Sequence, residues 1–327
     1  MKTEILKLLR EQDGYLSGQQ ICETLGVSRT AVWKVMNQLK EEGYQIEAVP
    51  NKGYHLLQTP DILSVSEIES RLTTDHMARK LYYYDVTDST NTDCKRYMEE
   101  EGVHGTLVVA DMQRAGKGRR GRSWESPSGH AIFMSLGLKP EISPNKASML
   151  TLVMALAVCD GIAGVTGQET GIKWPNDVVL HQKKICGILT EAISNFEMGK
   201  IDSAIVGIGI NYRTEDFPEE IRDRAGSLEK NGEHIPRNQL VAAILNAFWE
   251  IYDTLESREF IKEYRERSMV IGQQVRLQEN GEWKEATALD IDDNGGLIVQ
   301  MEEADGSTGK RVLQTGEITL RLKTGLL

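Results

Sequence analysis

Gln113-Arg114-Ala115-Gly116-Lys117-Gly118-Arg119-Arg120-Gly121-Arg122-Ser123-Trp124 follows a buried-strand pattern at Thr106 to Ala110. From Arg114 to Arg122 it sets three glycines and five cations within nine residues, a flexible and strongly positive loop. Two nucleotide-binding patterns come close to it. Gly116, Gly118 and Gly121 fit GxGxxG, but that reading needs a helix to open there and an acidic residue about 20 positions on. Ser126-Pro127-Ser128-Gly129 reads as loop instead. Gly116 to Ser123 nearly fits the phosphate-binding GxxxxGK[ST] pattern, with Arg122 where lysine is required and again no helix behind it. Neither reading is retained. What remains is a cationic clamp, in which glycines admit a phosphate close to the backbone and arginines offer forked donors. A solvated basic loop accounts for the arginines, but not for the interleaved glycines or the closing Trp124. That indole can fold over a ligand or anchor a core.

Working outward, Leu81 to Val86 reads as a strand and Ser89-Thr90-Asn91 opens a helix to about Glu101. Asp88 or Ser89 serves as its N-cap. The same run also offers hydrogen bonds to a polar ligand head. Ala131 to Leu138 is a strand and Ala147 to Ala163 an apolar helix. In Gly171-Ile172-Lys173-Trp174-Pro175-Asn176-Asp177, Pro175 breaks strand pairing beside Lys173, and Asn176-Asp177 turns the chain. A lysine at a Trp-Pro corner suits a fixed cation better than a waving surface charge. Lys183 to Glu191 is a return strand, and Ser203 to Asn211 is another, whose Gly207 and Gly209 leave room for a flat ligand between Ile188 and Ile208.

Ahead of this lie three short helices. Lys2 to Arg10 carries Ile5, Leu6, Leu8 and Leu9. Ser17 caps a second helix to Leu25, and Ser28 caps a third to about Glu42, ended by Gly43. The turn at Gly26-Val27 gives helix-turn-helix spacing. Ser28, Arg29, Thr30, Lys34, Asn37 and Gln38 face outward, types that reach phosphates and base edges. Tyr44 to Val49 and Tyr54 to Leu57 form a hairpin wing with Lys52 at its tip. Residues 1–62 hold seven Lys and Arg against eight Asp and Glu, so a small helical protein-binding module is the alternative. Thr59-Pro60-Asp61 marks a linker. After residue 270, five short strands (Gln274 to Gln278, Trp283 to Ile291, Leu297 to Met301, Lys310 to Leu313, Ile318 to Leu322), with a turn at Asp292 to Gly296, suit a small β-barrel.

The chain of 327 residues suits three units, 1–62, 63–270 and 271–327. Its net charge of −11 argues against broad nucleic-acid affinity, so DNA or phosphate must meet local cations. The longest apolar stretch, near Met149 to Val158, is short of the roughly 20 residues a bilayer needs, and no signal core stands at the N-terminus. The expectation is cytoplasmic, without membrane contact. Four cysteines form no CxxC and six histidines no HExxH, which leaves no protein-bound metal site.

Ser89-Thr90-Asn91, GKGRRGRSW, KWPND, KKICGILTE and VGIGIN stand in the order and spacing of biotin protein ligases. With the winged helix in front, the whole chain resembles the bifunctional ligases that also repress the biotin operon. The resemblance implies a multidomain α/β fold: winged helix-turn-helix, central α+β ligase domain of the biotin/lipoate type, C-terminal SH3-like barrel. It implies ATP and Mg²⁺, with the ion held mainly by nucleotide and water. It implies two steps: biotin and ATP give biotinyl-5′-AMP, and biotin then passes to a lysine of the biotin carboxyl carrier protein of acetyl-CoA carboxylase. Lys173 and Arg119 are the implied catalytic residues. Ser89, Thr90, Asn91, Gln113, Lys117, Gly118, Arg119, Lys173, Gly187, Gly207 and Gly209 would hold biotin. Lys117, Arg119, Arg120, Arg122, Trp124, Asn176, Lys184 and Asn211 would hold the nucleotide. An adenylate-bound homodimer would read operator DNA through Ser28, Arg29, Thr30, Lys34, Asn37 and Lys52. One departure is Lys117, where the family commonly has arginine; lysine keeps the charge and loses the fork. A lipoate–protein ligase, and a ligase-like biotin sensor acting only on transcription, are the alternatives.

Overall fold

The computed structural model describes residues 1–73, 80–124, 129–195, 200–229, 235–279, 282–302, 307–314 and 319–322. The expected loop at Ser126-Pro127-Ser128 lies outside them. The N-terminal helices are α1 (Lys2–Glu11), α2 (Gly18–Leu25) and α3 (Arg29–Glu41), followed by the antiparallel hairpin β1 (Gln45–Val49) and β2 (Gly53–Gln58). The caps explain the boundaries. Ser17 and Gln20 form a reciprocal capping box, Gly26 leaves α2 at φ 65°, and the Ser28 hydroxyl accepts from the Ala31 N–H. Ile5, Leu6, Leu9, Ile21, Val32, Val35, Met36 and Leu39 converge in a small core of their own.

A short helix, α4 (Val65–Glu69), leads into the central unit. Its strands are β3 (Lys80–Thr87), β4 (Thr106–Gln113), β5 (Ala131–Leu138), β6 (Gly171–Lys173), β7 (Asp177–Leu180), β8 (Lys183–Asn195) and β9 (Lys200–Asn211). They form one seven-stranded sheet in the order β3-β4-β5-β9-β8-β7-β6, parallel only between β3 and β4. Helix α5 (Thr90–Glu100) packs on β4 and β5; α6 (Ala147–Thr166) lies against β8 and β9 and against α7 (Arg237–Tyr252), with α8 (Phe260–Glu266) beyond. By length and mean hydropathy, 1.9 over its most apolar window, α6 is long and apolar enough to cross a bilayer. Instead, Met149 to Cys159 are buried in the core, all within the protein. That all-round apolar character is what a central helix packed on every side requires.

The last strands are β10 (Gln274–Glu279), β11 (Glu282–Ile291), β12 (Leu297–Glu302), β13 (Thr308–Leu313) and β14 (Thr319–Leu322), antiparallel in the order β13-β12-β11-β10-β14. The strands match the sequence reading, but among the described residues no pairing joins β13 to β14, so a closed barrel is not seen. Val275, Leu277, Ala288 and Leu297 continue the central core, and Trp174 donates its indole N–H to the Gly295 carbonyl at 2.9 Å.

Cys94, Cys159 and Cys186 are buried and Cys22 is half-buried, all as free thiols. Burial raises all three inner thiols, Cys94 to about 12. A thiol-specific chromogenic reagent is therefore expected to label one cysteine quickly in the native protein and the other three only on unfolding. A second fast thiol would contradict this packing.

Candidate functional site

The strand-to-helix turn between β3 and α5 places Ser89, Thr90 and Asn91 in a buried row. Ser89 stands at the N-cap position but makes no side-chain capping bond, so its hydroxyl is not used to start the helix. Gln113, at the end of β4, accepts through Oε1 from the Thr90 N–H at 2.8 Å, and Thr90 Oγ1 lies 3.1 Å from the same oxygen. Beneath them Ser135 on β5 is fully buried, with Oγ 2.7 Å from Thr90 Oγ1 and 2.6 Å from Asn91 Oδ1. The Asn91 amide donates to Glu191 Oε2 at 2.7 Å. Gly207 makes this possible: a Cβ there would sit 2.0 Å from Asn91 Oδ1.

The cationic run is not an open loop. The Gly118 N–H donates to the Arg122 carbonyl at 2.7 Å and the Trp124 N–H to the Gly116 carbonyl at 2.9 Å, closing a tight hairpin with a 3-10 turn at Arg119–Gly121. Arg120 takes the left-handed conformation at φ 57° at its tip. Trp124 folds back onto the sheet. A Cβ on Gly209 would lie 2.7 Å from its indole, and one on Gly187 2.6 Å, so these glycines accommodate Trp124 rather than an empty floor. Lys184 lies 5.2 Å from the ring centroid and pairs with Asp177 at 2.7 Å.

Two adjoining clefts result, sharing one wall. The first is lined by Ser89, Thr90, Asn91, Gln113, Lys117, Gly187, Gly207 and Gly209. The second is lined by Arg120, Arg122, Ser123 and the corner Lys173 to Asp177. Gly118, Arg119, Trp124, Asn176 and Lys184 border both. Arg119 is fixed by Asn176, whose Oδ1 accepts at 2.8 Å while its amide donates to the Ile188 carbonyl. Burial lowers the Arg119 pKa, with the neighbouring Asp177 charge opposing, and the guanidinium stays cationic. The Lys173 corner is clamped: Ile172 exchanges backbone bonds with Arg267 and Met269, Tyr264 donates to the Pro175 carbonyl at 3.0 Å, and Trp174 is held by Gly295. Asn211 borders neither cleft; its amide donates to the Gly226 carbonyl, which ties the end of β9 to the following loop.

Sequence patterns did not single out Ser135, Glu191 or Arg237. Arg237, 6% exposed, donates to Asp111 at 2.6 Å and to Asp61 at 3.3 Å, and Asp111 accepts from the Gly129 N–H beyond the cationic hairpin. Burial opposes its charge, but the bonds to Asp111 and the Asp61 charge leave its pKa raised. These are partners far apart in the chain, and no local spacing marks them.

On the winged helix, Thr30 and Lys34 are exposed and Asn37 is half-buried. Ser28 uses its hydroxyl as a cap, Arg29 donates to Gln19 at 2.7 Å, and Lys52 sits 5.5 Å from the Tyr15 ring centroid. The sequence reading passed over Trp33, 57% exposed on the same face. Its spacing, four after Arg29 and four before Asn37, could have found it.

A mixed sheet bearing a cation-bordered double cleft, behind a capped helix-turn-helix with a wing, defines a ligand-activating enzyme joined to a DNA-reading domain. Residues 83–211 match the biotin/lipoate A/B protein ligase family, residues 2–55 an HTH domain, and residues 270–321 the biotin protein ligase C-terminal domain. The bifunctional ligase/repressor BirA of Bacillus spizizenii is 41% identical over 93% of this chain and 95% of its own; that of Escherichia coli is 30% identical over 93% and 92%. A solved biotin protein ligase from Aquifex aeolicus, in complex with biotin and ATP, has a TM-score of 0.62 and 29% identity over 75% of this chain and all of its own. The chain therefore belongs to the biotin protein ligase family, in its bifunctional ligase/repressor form.

Proposed function

We infer that the enzyme joins biotin to ATP as biotinyl-5′-AMP, passes biotin to a lysine of a biotin carboxyl carrier protein, and as an adenylate-bound homodimer represses the biotin operon from the cytoplasm. The observation that carries this reading is the adjacency of the two clefts across Arg119. The first cleft, with its polar end at Ser89, Thr90, Asn91 and Gln113, would take the biotin head and chain. The second, between the hairpin cations and Lys173, would take the nucleotide, with Trp124 and Lys184 at their border.

The biotin carboxylate and the α-phosphate are both anionic, so fixed cations must meet the charge that grows as they approach. Lys117 and Arg119, with the Gly118 backbone, cradle the carboxylate and phosphate oxygens. Lys173 stabilises the α-phosphoryl oxygens while pyrophosphate leaves. In the second step the acceptor lysine amine attacks the biotinyl carbonyl and AMP departs. Among the described residues no cluster of carboxylates, histidines or cysteines is suited to a metal. Mg²⁺ would then be held by the triphosphate and water, and would screen the phosphate charge. The C-terminal sheet, read as SH3-like, buttresses the Lys173 corner through Gly295.

Pyrophosphate exchange into ATP is expected with biotin and not with lipoate; exchange with lipoate alone would overturn the choice of substrate. Sedimentation is expected to show stronger self-association with the adenylate than without it. Trp33, centred on the outer face of α3, suits contact with a thymine methyl group. Trp33→Ala is expected to weaken operator binding about 5- to 20-fold without loss of helix content. Unchanged affinity in a fluorescence titration would remove Trp33 from the reading face.

A further inference from the structure

We propose that Glu191 and Ser135 are positioning residues that set the hydrogen-bond polarity of the head pocket, and so select ligands with a ring N–H. The inference rests on the biotin reading above. Neither residue borders the first cleft. They form its support: Ser135 fully buried on β5, opposite Gly207 in the sheet register, and Glu191 at the exposed outer end on β8.

The direction of every bond in this chain follows from counting protons. A carboxylate can only accept, so the Asn91 amide must turn its NH₂ to Glu191, at 2.7 Å. Asn91 Oδ1 then faces Ser135 Oγ at 2.6 Å and has no proton to give. Ser135 has one proton, and it goes to Asn91. The Thr90 proton is then taken up inside the network, by Ser135 Oγ at 2.7 Å or by Gln113 Oε1 at 3.1 Å. Gln113 Oε1 keeps the Thr90 backbone N–H as its donor at 2.8 Å. The hydroxyl of Thr90, a residue that lines the cleft, is left with lone pairs only for a ligand.

The pocket thus accepts a hydrogen bond at Thr90 and cannot donate one there. A ureido ring N–H fits. A ring oxygen or a dithiolane sulfur at that place leaves two acceptors facing each other, in a buried site where an unmet acceptor is costly. The selection is imposed from Glu191, several bonds away from the ligand. A glutamine at 191 can present either end of its amide. Asn91 then reverses, Ser135 donates to Thr90, and the Thr90 proton, no longer held by Ser135, is shared between Gln113 Oε1 and the ligand.

The test compares biotin with its cyclic carbamate analogue, in which one ring N–H is replaced by oxygen, by pyrophosphate exchange. The parent enzyme is expected to show a carbamate KM about 100-fold above that for biotin. In Glu191→Gln and in Ser135→Ala that ratio should fall to about tenfold or less, with biotin KM raised and kcat changed by less than about threefold, since neither residue reaches the reacting atoms. A general loosening of the fold would raise both KM values and keep their ratio. If both folded variants retain the parent's ratio, the proposal is overturned. If Ser135→Ala fails to fold, the exposed Glu191→Gln decides alone. A parent enzyme with no biotin-dependent exchange at all would overturn the ligase reading and this inference with it.

Discussion

Lys173→Ala is expected to lower biotin-dependent pyrophosphate exchange by about 10³-fold, while biotin itself still binds within a few-fold of the parent. The geometry separates the two effects. Lys173 lines the cleft with Arg120, Arg122 and the Trp174–Asp177 corner, whereas the head pocket is built around Ser89, Thr90, Asn91 and Gln113 in the other cleft. Removing the ammonium therefore removes charge where the carboxylate and α-phosphate would meet, and leaves the polar pocket intact. The size of the effect depends on how well the backbone that carries the cation is held. Strand β6 pairs Lys173 opposite Asp177, the two chain segments beside Ile172 are hydrogen-bonded to it, and Trp174 and Pro175 are tied to Gly295 and Tyr264. A cation placed in advance stabilises a transition state without reorganising when the charge arrives, which is why its loss exceeds that of a surface lysine. Titration calorimetry with biotin, beside exchange kinetics, checks both halves. Exchange within tenfold of the parent would remove Lys173 from the chemistry.

The contrast between legible and hidden features follows from the range of the interactions. Ser17, Ser28, Gly26 and Gly43 act within four residues of themselves, so the helix-turn-helix could be read from them directly. The glycine and arginine run and the Lys173 corner were legible as unusual compositions, although not their shapes. The run closes into a hairpin because Gly118 pairs with Arg122 and Trp124 with Gly116, which no pattern of residue types dictates. Gly207 and Gly209 read as room for a ligand, but Asn91 at the start of α5 and Trp124 at the end of the cationic hairpin fill that room. Ser135, Glu191 and Arg237 escaped notice because each acts on partners at least 44 residues away in the chain. A buried serine in an apolar strand reads as a small core residue until its partners are known. The C-terminal strands were legible as short runs around the turn at Asp292 to Gly296, yet such runs say nothing of closure, and among the described residues their order is that of an open sheet.

Glu67→Ala is the substitution expected to cost most stability, about 2–4 kcal/mol, because it removes the centre of a buried charge cluster and leaves cations behind. Glu67 has no exposed surface. It meets Arg10 of α1, Arg71 at 3.3 Å, and the Tyr44 hydroxyl, which donates at 2.7 Å. Arg10 and Tyr44 belong to the winged helix, while Glu67 and Arg71 belong to the segment that leads into the ligase unit. The cluster is thus the joint between the two. Further bonds continue it: Thr3 donates to Glu69, and Asn238 on α7 both donates to the Ile62 carbonyl and accepts from the Ser64 N–H. Burial raises the Tyr44 pKa above its ordinary 10, and the bond to Glu67 raises it further. A raised pKa in the folded state gives a contribution that is complete below pH 10 and is lost as the pH climbs through the folded value, so the joint should hold across neutral pH and weaken only in strong alkali. Both arginine side chains retain some exposure, 17% each, so water can partly recover them, which sets the loss below that of a fully sealed pair. Glu67→Gln, which keeps a hydrogen-bond acceptor of the same shape, should recover part of the loss. The consequence for function is directional. None of Arg10, Tyr44, Glu67 and Arg71 lines either ligase cleft, so exchange activity should persist below the unfolding range, whereas operator binding needs two winged helices held at a fixed spacing. Urea unfolding of parent and variants, followed by operator titration at a temperature where all are folded, separates these effects. Equal stability for Glu67→Ala, or operator affinity unchanged from the parent, would show that the winged helix is held by its other contacts and that Glu67 is not the joint.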